Sequence, residues 1–107
     1  MTKDTSKLCY ALINFYSSLY LAKYDKSPVI NRHREKWAMS DVIESVGYDR
    51  AKRLLEYYFD INNSGHSLTW FFYNFDRLDD MLNKIEEDAI RRAKIRENTK
   101  LALEARD

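Results

Sequence analysis

Two glycines and one proline in 107 residues leave few of the punctuators on which hairpins, tight turns and phosphate loops depend. All-β and doubly wound α/β folds are therefore disfavoured. The single cysteine, Cys9, excludes an intramolecular disulfide and with it a stapled secreted scaffold, which points to a reducing, cytoplasmic setting, the host cytoplasm if the chain is viral. Eighteen Lys and Arg stand against 17 Asp and Glu, so a net charge of +1 gives no global pull toward nucleic acid or an anionic membrane. Long apolar runs are missing too. The uncharged stretch from Leu8 to Ala22 would span about 22 Å as a helix, short of the roughly 30 Å hydrocarbon core. Asn14, Ser17 and Ser18 interrupt it and Asp4 dilutes a basic leader, so it reads as a buried helix and not as a membrane span or signal peptide.

What is present is helical periodicity. Leu8, Leu12, Phe15, Leu19 and Ala22 form one stripe and Cys9, Ile13, Tyr16 and Tyr20 a second, which predicts a first helix that buries most of its circumference. Ser27-Pro28 breaks the pattern. A second helix is expected from Asn31, a side-chain cap, to Gly47, with Met39, Val42, Ile43 and Val46 as its apolar face. Trp37 falls about 160° around from Met39, so it packs elsewhere or marks a local break. The third helix is expected to start with Asp49 as N-cap, to bury Ala51, Leu54, Leu55, Tyr58 and Phe59, and to end near Asp60. Asn62 to His66 is the most turn-like stretch, after which Ser67 can cap a new helix.

From Leu68 onward Phe71, Phe75, Leu78, Leu82, Ile85 and Ala89 alternate in steps of four and three, a coiled-coil-like seam that packs back onto the domain or onto a second copy. Beyond it Ile90, Ile95, Leu101 and Leu103 do not sustain one stripe. The expected fold is all-α, a small bundle of four to five helices with a long charged C-terminal helix. Residues 1–90 form one domain and 91–107 a charged helical extension, either frayed or ordered by a partner. Both the first helix and the 71–89 seam offer apolar surface for a homodimer.

Catalytic chemistry is scarce. Cys9 sits on an apolar stripe where a small hydrophobe is expected. His33 and His66 have no second ligand at zinc spacing, and Gly65 alone makes no phosphate loop. Asp76, Asp79 and Asp80 share a helix edge that could hold a divalent ion, but Arg77 and Lys84 interleave them and a solvated edge explains all three. No catalytic residue, metal or cofactor is expected, and the chain reads as a binding protein and not an enzyme.

Charge distribution says more. Residues 76–88 carry six acids and two bases, whereas 91–100 carry five bases and one acid. Arg91, Arg92, Lys94, Arg96 and Lys100 are candidates for contacting single-stranded nucleic acid, and the favourable spacing of Glu87 with Arg91 and Asp88 with Arg92 offers a purely intrahelical alternative. Arg32, Arg34 and Lys36, beside His33, open the second helix, and Arg50, Lys52 and Arg53 open the third. Bases at helix N-termini oppose the macrodipole, and if the two ends lie together they would form a phosphate-binding patch. The aromatic stretch divides: Leu68, Phe71, Phe72 and Phe75 belong to the core, while Trp70, Tyr73 and Tyr57, with Arg77, are candidates for a protein contact.

Trp37-Ala38, then Leu54-Leu55-Glu56-Tyr57-Tyr58, then His66-Ser67-Leu68-Thr69-Trp70 and Phe75-Asp76-Arg77-Leu78 follow an order that resembles the C-terminal region of phage replication-initiator and helicase-loader proteins. The resemblance covers roughly residues 30–85 and is carried by hydrophobic pattern, with Trp70, Phe75 and Arg77 as pattern matches. It implies a non-catalytic adaptor in DNA replication that contacts a replicative helicase or initiator and single-stranded DNA. Those proteins usually carry a winged-helix domain ahead of this region. Here one short apolar helix precedes it, so autonomous origin recognition is not implied. The alternative is a small viral effector that binds host RNA polymerase or a defence enzyme and redirects or blocks it.

Overall fold

A computed structural model describes the backbone of residues 2–104 and the side chains of residues 2–102. Met1 and residues 105–107, the end of the expected extension, lie outside the described residues, as does the Leu103 side chain. Four α-helices follow one another: α1 Lys3–Tyr24, α2 Arg32–Val46, α3 Tyr48–Asp60 and α4 Leu68–Glu104. No strand occurs among the described residues, so the fold is all-α.

Local chemistry sets most of the boundaries. Thr2 Oγ1 accepts from Thr5 N at 3.1 Å to start α1, and Asn31 Oδ1 accepts from Arg34 N at 3.2 Å to start α2. Ser67 Oγ takes Trp70 N at 3.1 Å at the head of α4, as its position before the periodic run predicts. Asp49 does not cap α3. Its helix starts one residue earlier, at Tyr48, because α2 and α3 meet at the single residue Gly47, which serves as C-cap of one and N-cap of the other. Gly47 has φ +87° and ψ 162°, a region that is essentially glycine's alone. Asp49 stays in the first turn, where its carboxylate still suits the positive helix end.

The helices pack around α3. α1 lies on α2 and α3, and α4 lies on α3 and α2. Being surrounded, α3 buries Ala51, Leu54, Leu55, Tyr57, Tyr58 and Phe59. Burial over most of the circumference, expected of α1, thus belongs to α3. α1 buries only Cys9, Leu12, Ile13 and Tyr16, while Leu8 and Leu21 are exposed. Tyr57, expected at the surface, is core for the same reason. Trp37 is exposed on α2, with Lys36 Nζ 5.3 Å from its ring centroid and 5.8 Å from that of Tyr10 on α1.

The connection between α3 and α4 is bound to the body through His66. Its φ of +44° follows Gly65 at +85°, two left-handed residues that reverse the chain. The residue is buried. Tyr16 OH, from α1, donates to its carbonyl at 2.7 Å, and its own N–H donates to Asn63 Oδ1 at 3.0 Å. A carbonyl can only accept, so Nε2 carries the proton that goes to Ile61 O at 3.0 Å, and Nδ1 shares a hydrogen bond with Tyr24 OH. The ring stacks on Phe59 with centroids 4.8 Å apart and 11° between planes. Tyr58 OH donates to Ser67 O at 2.8 Å, which ties the next residue of the loop to α3.

The α4 seam is buried at Phe71, Leu78 and Leu82 and then stops. Ile85 and Ala89, expected to continue it, are exposed, and no side chain from residue 83 to 102 is buried. At about 1.5 Å per residue, α4 is about 55 Å long and roughly 30 Å of it stands clear of the body. The radius of gyration is accordingly 18.4 Å, where a compact domain of this length has about 13 Å.

Two predictions test this packing. Burial, reinforced by the neighbouring phenols, pushes the Tyr16 and Tyr58 hydroxyls well above their ordinary value of 10.0. Above pH 10 the unfolded chain releases these protons while the folded chain keeps them. Stability should therefore be flat below that pH and fall by about 1.4 kcal/mol per pH unit for each phenol above it, measured by urea denaturation. At Gly47 a Cβ would meet nothing within 4 Å, so Gly47→Ala tests the backbone alone and should cost about 1–3 kcal/mol in a thermal melt.

Candidate functional site

On α2, Arg34, Ala38 and Asp41 fall at i, i+4 and i+7 and so share one face. Thr69, Phe72, Tyr73 and Phe75 come from the first two turns of α4, whose start Ser67 and the His66 loop hold in place. Between the two helices these residues, with Glu35, line an open groove of about 600 Å³. A smaller cavity of about 190 Å³ runs on from it past Arg34, Glu35 and Thr69 to Tyr16, Tyr20, Pro28 and Ile30. The groove combines three aromatic side chains with two carboxylates. Glu35 is only 9% exposed, and its Oε1 accepts both Nη2 of Arg34 at 2.8 Å and Nε at 3.2 Å. Asp41 is exposed and forms no ion pair among the described residues. Tyr73, 81% exposed, stands at the lip.

Of the four residues expected to meet a protein, two lie together on the surface. Tyr73 and Arg77 are one turn apart on α4 and both exposed. Trp70 is half-buried and stacks on Tyr58 with centroids 5.2 Å apart and planes 9° apart, and Tyr57 is core. The rest of the groove was not read from the sequence. The signal present in the sequence is the 34/38/41 spacing, and Phe72 and Phe75, expected in the core, are half-buried.

The basic residues separate into three groups. Arg32 and Arg34 open α2, but α3 begins at the other end of α2, about 22 Å away for 15 residues, so the two N-termini do not form one phosphate patch. Lys36 and Lys52 lie over aromatic rings, Lys52 Nζ 5.0 Å from the Phe15 centroid, while Arg53 is exposed. On the extension Arg91, Arg92, Lys94, Arg96 and Lys100 are all exposed and, at about 100° per residue, are spread around the helix. Asp88 Oδ2 pairs with Arg92 Nε at 3.1 Å.

Arg50 is committed elsewhere. From the first turn of α3 its guanidinium reaches Asp79 Oδ1 at 2.6 Å, Asn83 Oδ1 at 2.7 Å and Glu86 Oε1 at 2.6 Å, three acceptors spaced four and three along α4. These carboxylates raise its pKa further above the ordinary value. Asp79, a candidate metal ligand in the acidic stretch, is thereby an ion-pair partner, and no group of three His, Cys, Asp or Glu among the described residues is arranged to hold a metal ion. Cys9 is fully buried, and burial pushes its thiol pKa up, away from the thiolate a nucleophile needs.

Comparison with protein-family models, with curated proteins and with solved structures finds no match to this chain. No described helix is long and apolar enough to cross a membrane.

Arg50→Ala should destabilise the fold by about 1–2 kcal/mol, the scale of a partly exposed charge network. Amide exchange should rise most at residues 83–90 of α4. Arg50→Lys should recover only part of the loss, since one ammonium cannot span three acceptors two turns apart.

Proposed function

We propose that this chain is a non-catalytic, cytoplasmic adaptor in DNA replication, which binds a segment of a replicative helicase or initiator in the α2–α4 groove. The observation that carries the binding role is the groove itself: an apolar aromatic wall faced by the Glu35 and Asp41 carboxylates, with Tyr73 standing out at its edge. Such a surface suits an amphipathic segment that offers an apolar anchor to Phe72 and Phe75 and a cation to Asp41. Replication as the setting rests on the resemblance of residues 30–85 to initiator and helicase-loader proteins. In this reading the exposed bases of the extension, Arg91, Lys94 and Arg96, contact single-stranded DNA, and affinity falls with salt at a slope of about −0.7 per phosphate neutralised.

The tagged chain should capture a replicative helicase or initiator from a lysate of its source or host at moderate salt. Tyr73→Ala combined with Asp41→Lys, both at surface positions, should weaken that capture at least about tenfold without lowering thermal stability. Recovery of RNA polymerase or a defence nuclease by the same groove would move the function to host takeover. Capture that survives the double substitution would remove the groove from the mechanism.

A further inference from the structure

The isolated half of α4 carries a second ordered feature, separate from the groove. Met81, Ile85, Asp88, Arg92, Ile95, Thr99 and Ala102 follow one another in steps of four, three, four, three, four and three. That spacing places all seven on one face over three heptads, with apolar side chains at four of the seven positions. The face is uncovered: Met81, Ile85 and Ile95 are 42, 52 and 58% exposed. It continues the stripe that carries Leu78 and Leu82 into the core: Ile85, two turns after Leu78, is where that stripe leaves the body, and Arg77, one turn before Met81, is also exposed.

We propose that this face is the interface of a homodimer in which two α4 helices pair antiparallel about a two-fold axis at Ile90. The seam is symmetric about that position. Reversing the chain direction sets Ile85 against Ile95, Met81 against Thr99 and Asp88 against Arg92 of the second copy, while Ile90, about 180° around the helix, points away from the contact. Charge selects the same occupant and the same direction. The acidic stretch 76–88 and the basic stretch 91–100 lie on either side of the axis, so an antiparallel copy sets Asp80 level with Lys100, Glu86 with Lys94 and Asp88 with Arg92, against the one like pair Lys84 and Arg96, whereas a parallel copy would lay acid along acid. At the centre the Asp88–Arg92 ion pair of each chain meets its counterpart, forming a four-charge cluster flanked on both sides by an isoleucine layer.

Light scattering and sedimentation equilibrium of the full chain test the proposal. The expected mass is twice the 12.8 kDa of the chain, dissociating on dilution. Asp88→Arg alone and Arg92→Asp alone each put like charges across the axis and should weaken the dimer at least about tenfold. Mixing these two variants restores opposite charges across the axis and should give a heterodimer, a result that loss of folding would not produce. Direction is read by mixing Ile85→Cys with Ile95→Cys and adding a short thiol cross-linker, which the fully buried Cys9 does not reach. The mixture should cross-link and neither variant alone, since like positions stand about 15 Å apart along the axis. A monomeric mass at every concentration, a dimer indifferent to the charge reversals, or self-cross-linking of Ile85→Cys would overturn the proposal.

Discussion

The His66 turn is the constraint from which the rest of the body follows. A helical bundle whose last helix is reached through a seven-residue loop needs that loop held, or the direction of the last helix is undetermined. Here Tyr16 and Tyr24 from α1 and the backbone of Ile61 at the end of α3 all bond to one residue, and Tyr58 bonds to the next. The bonds are made in a buried to half-buried site, where an unpaired phenol or imidazole would be expensive, so the arrangement specifies a single geometry more than it adds net stability. The α4 start, and with it one wall of the groove, is set by that geometry.

Arg50 plays the complementary part at the far end of the body. Apolar packing of α4 ends at Leu82, and the guanidinium takes hold of the helix from Asp79 to Glu86, across the point where burial gives out. The transition from packed helix to isolated helix is thus bridged by charge. Apolar contact and ionic contact divide the length of α4 between them, and the groove lies in the part secured by the first.

Element existence was legible wherever one side chain decides it. Asn31 and Ser67 each cap through a bond to the amide three residues on, and Gly47 was marked as a helix end by its conformational freedom. The interior of the bundle was less legible. Periodicity shows that a stripe is apolar but not how many neighbours cover it, so the double stripe of α1 looked more central than α3, and Tyr57 looked available. Arg50 was misjudged for a related reason: a base at a helix N-terminus is anomalous only until its acceptors are known, and those lie some 30 residues away on another helix. The groove was illegible because its two walls are contributed by segments equally far apart. On the extension, composition overstated the basic character, since bases adjacent in sequence point in different directions on a helix.

The projecting part of α4 also governs how the molecule moves through solvent. With extents of 65 × 33 × 19 Å, the chain presents far more drag than a sphere of its mass and tumbles anisotropically. It will elute from a sizing column ahead of globular standards of equal mass. Spin relaxation at backbone amides will depend on how each N–H vector lies relative to the long axis, with those of α4 aligned along it.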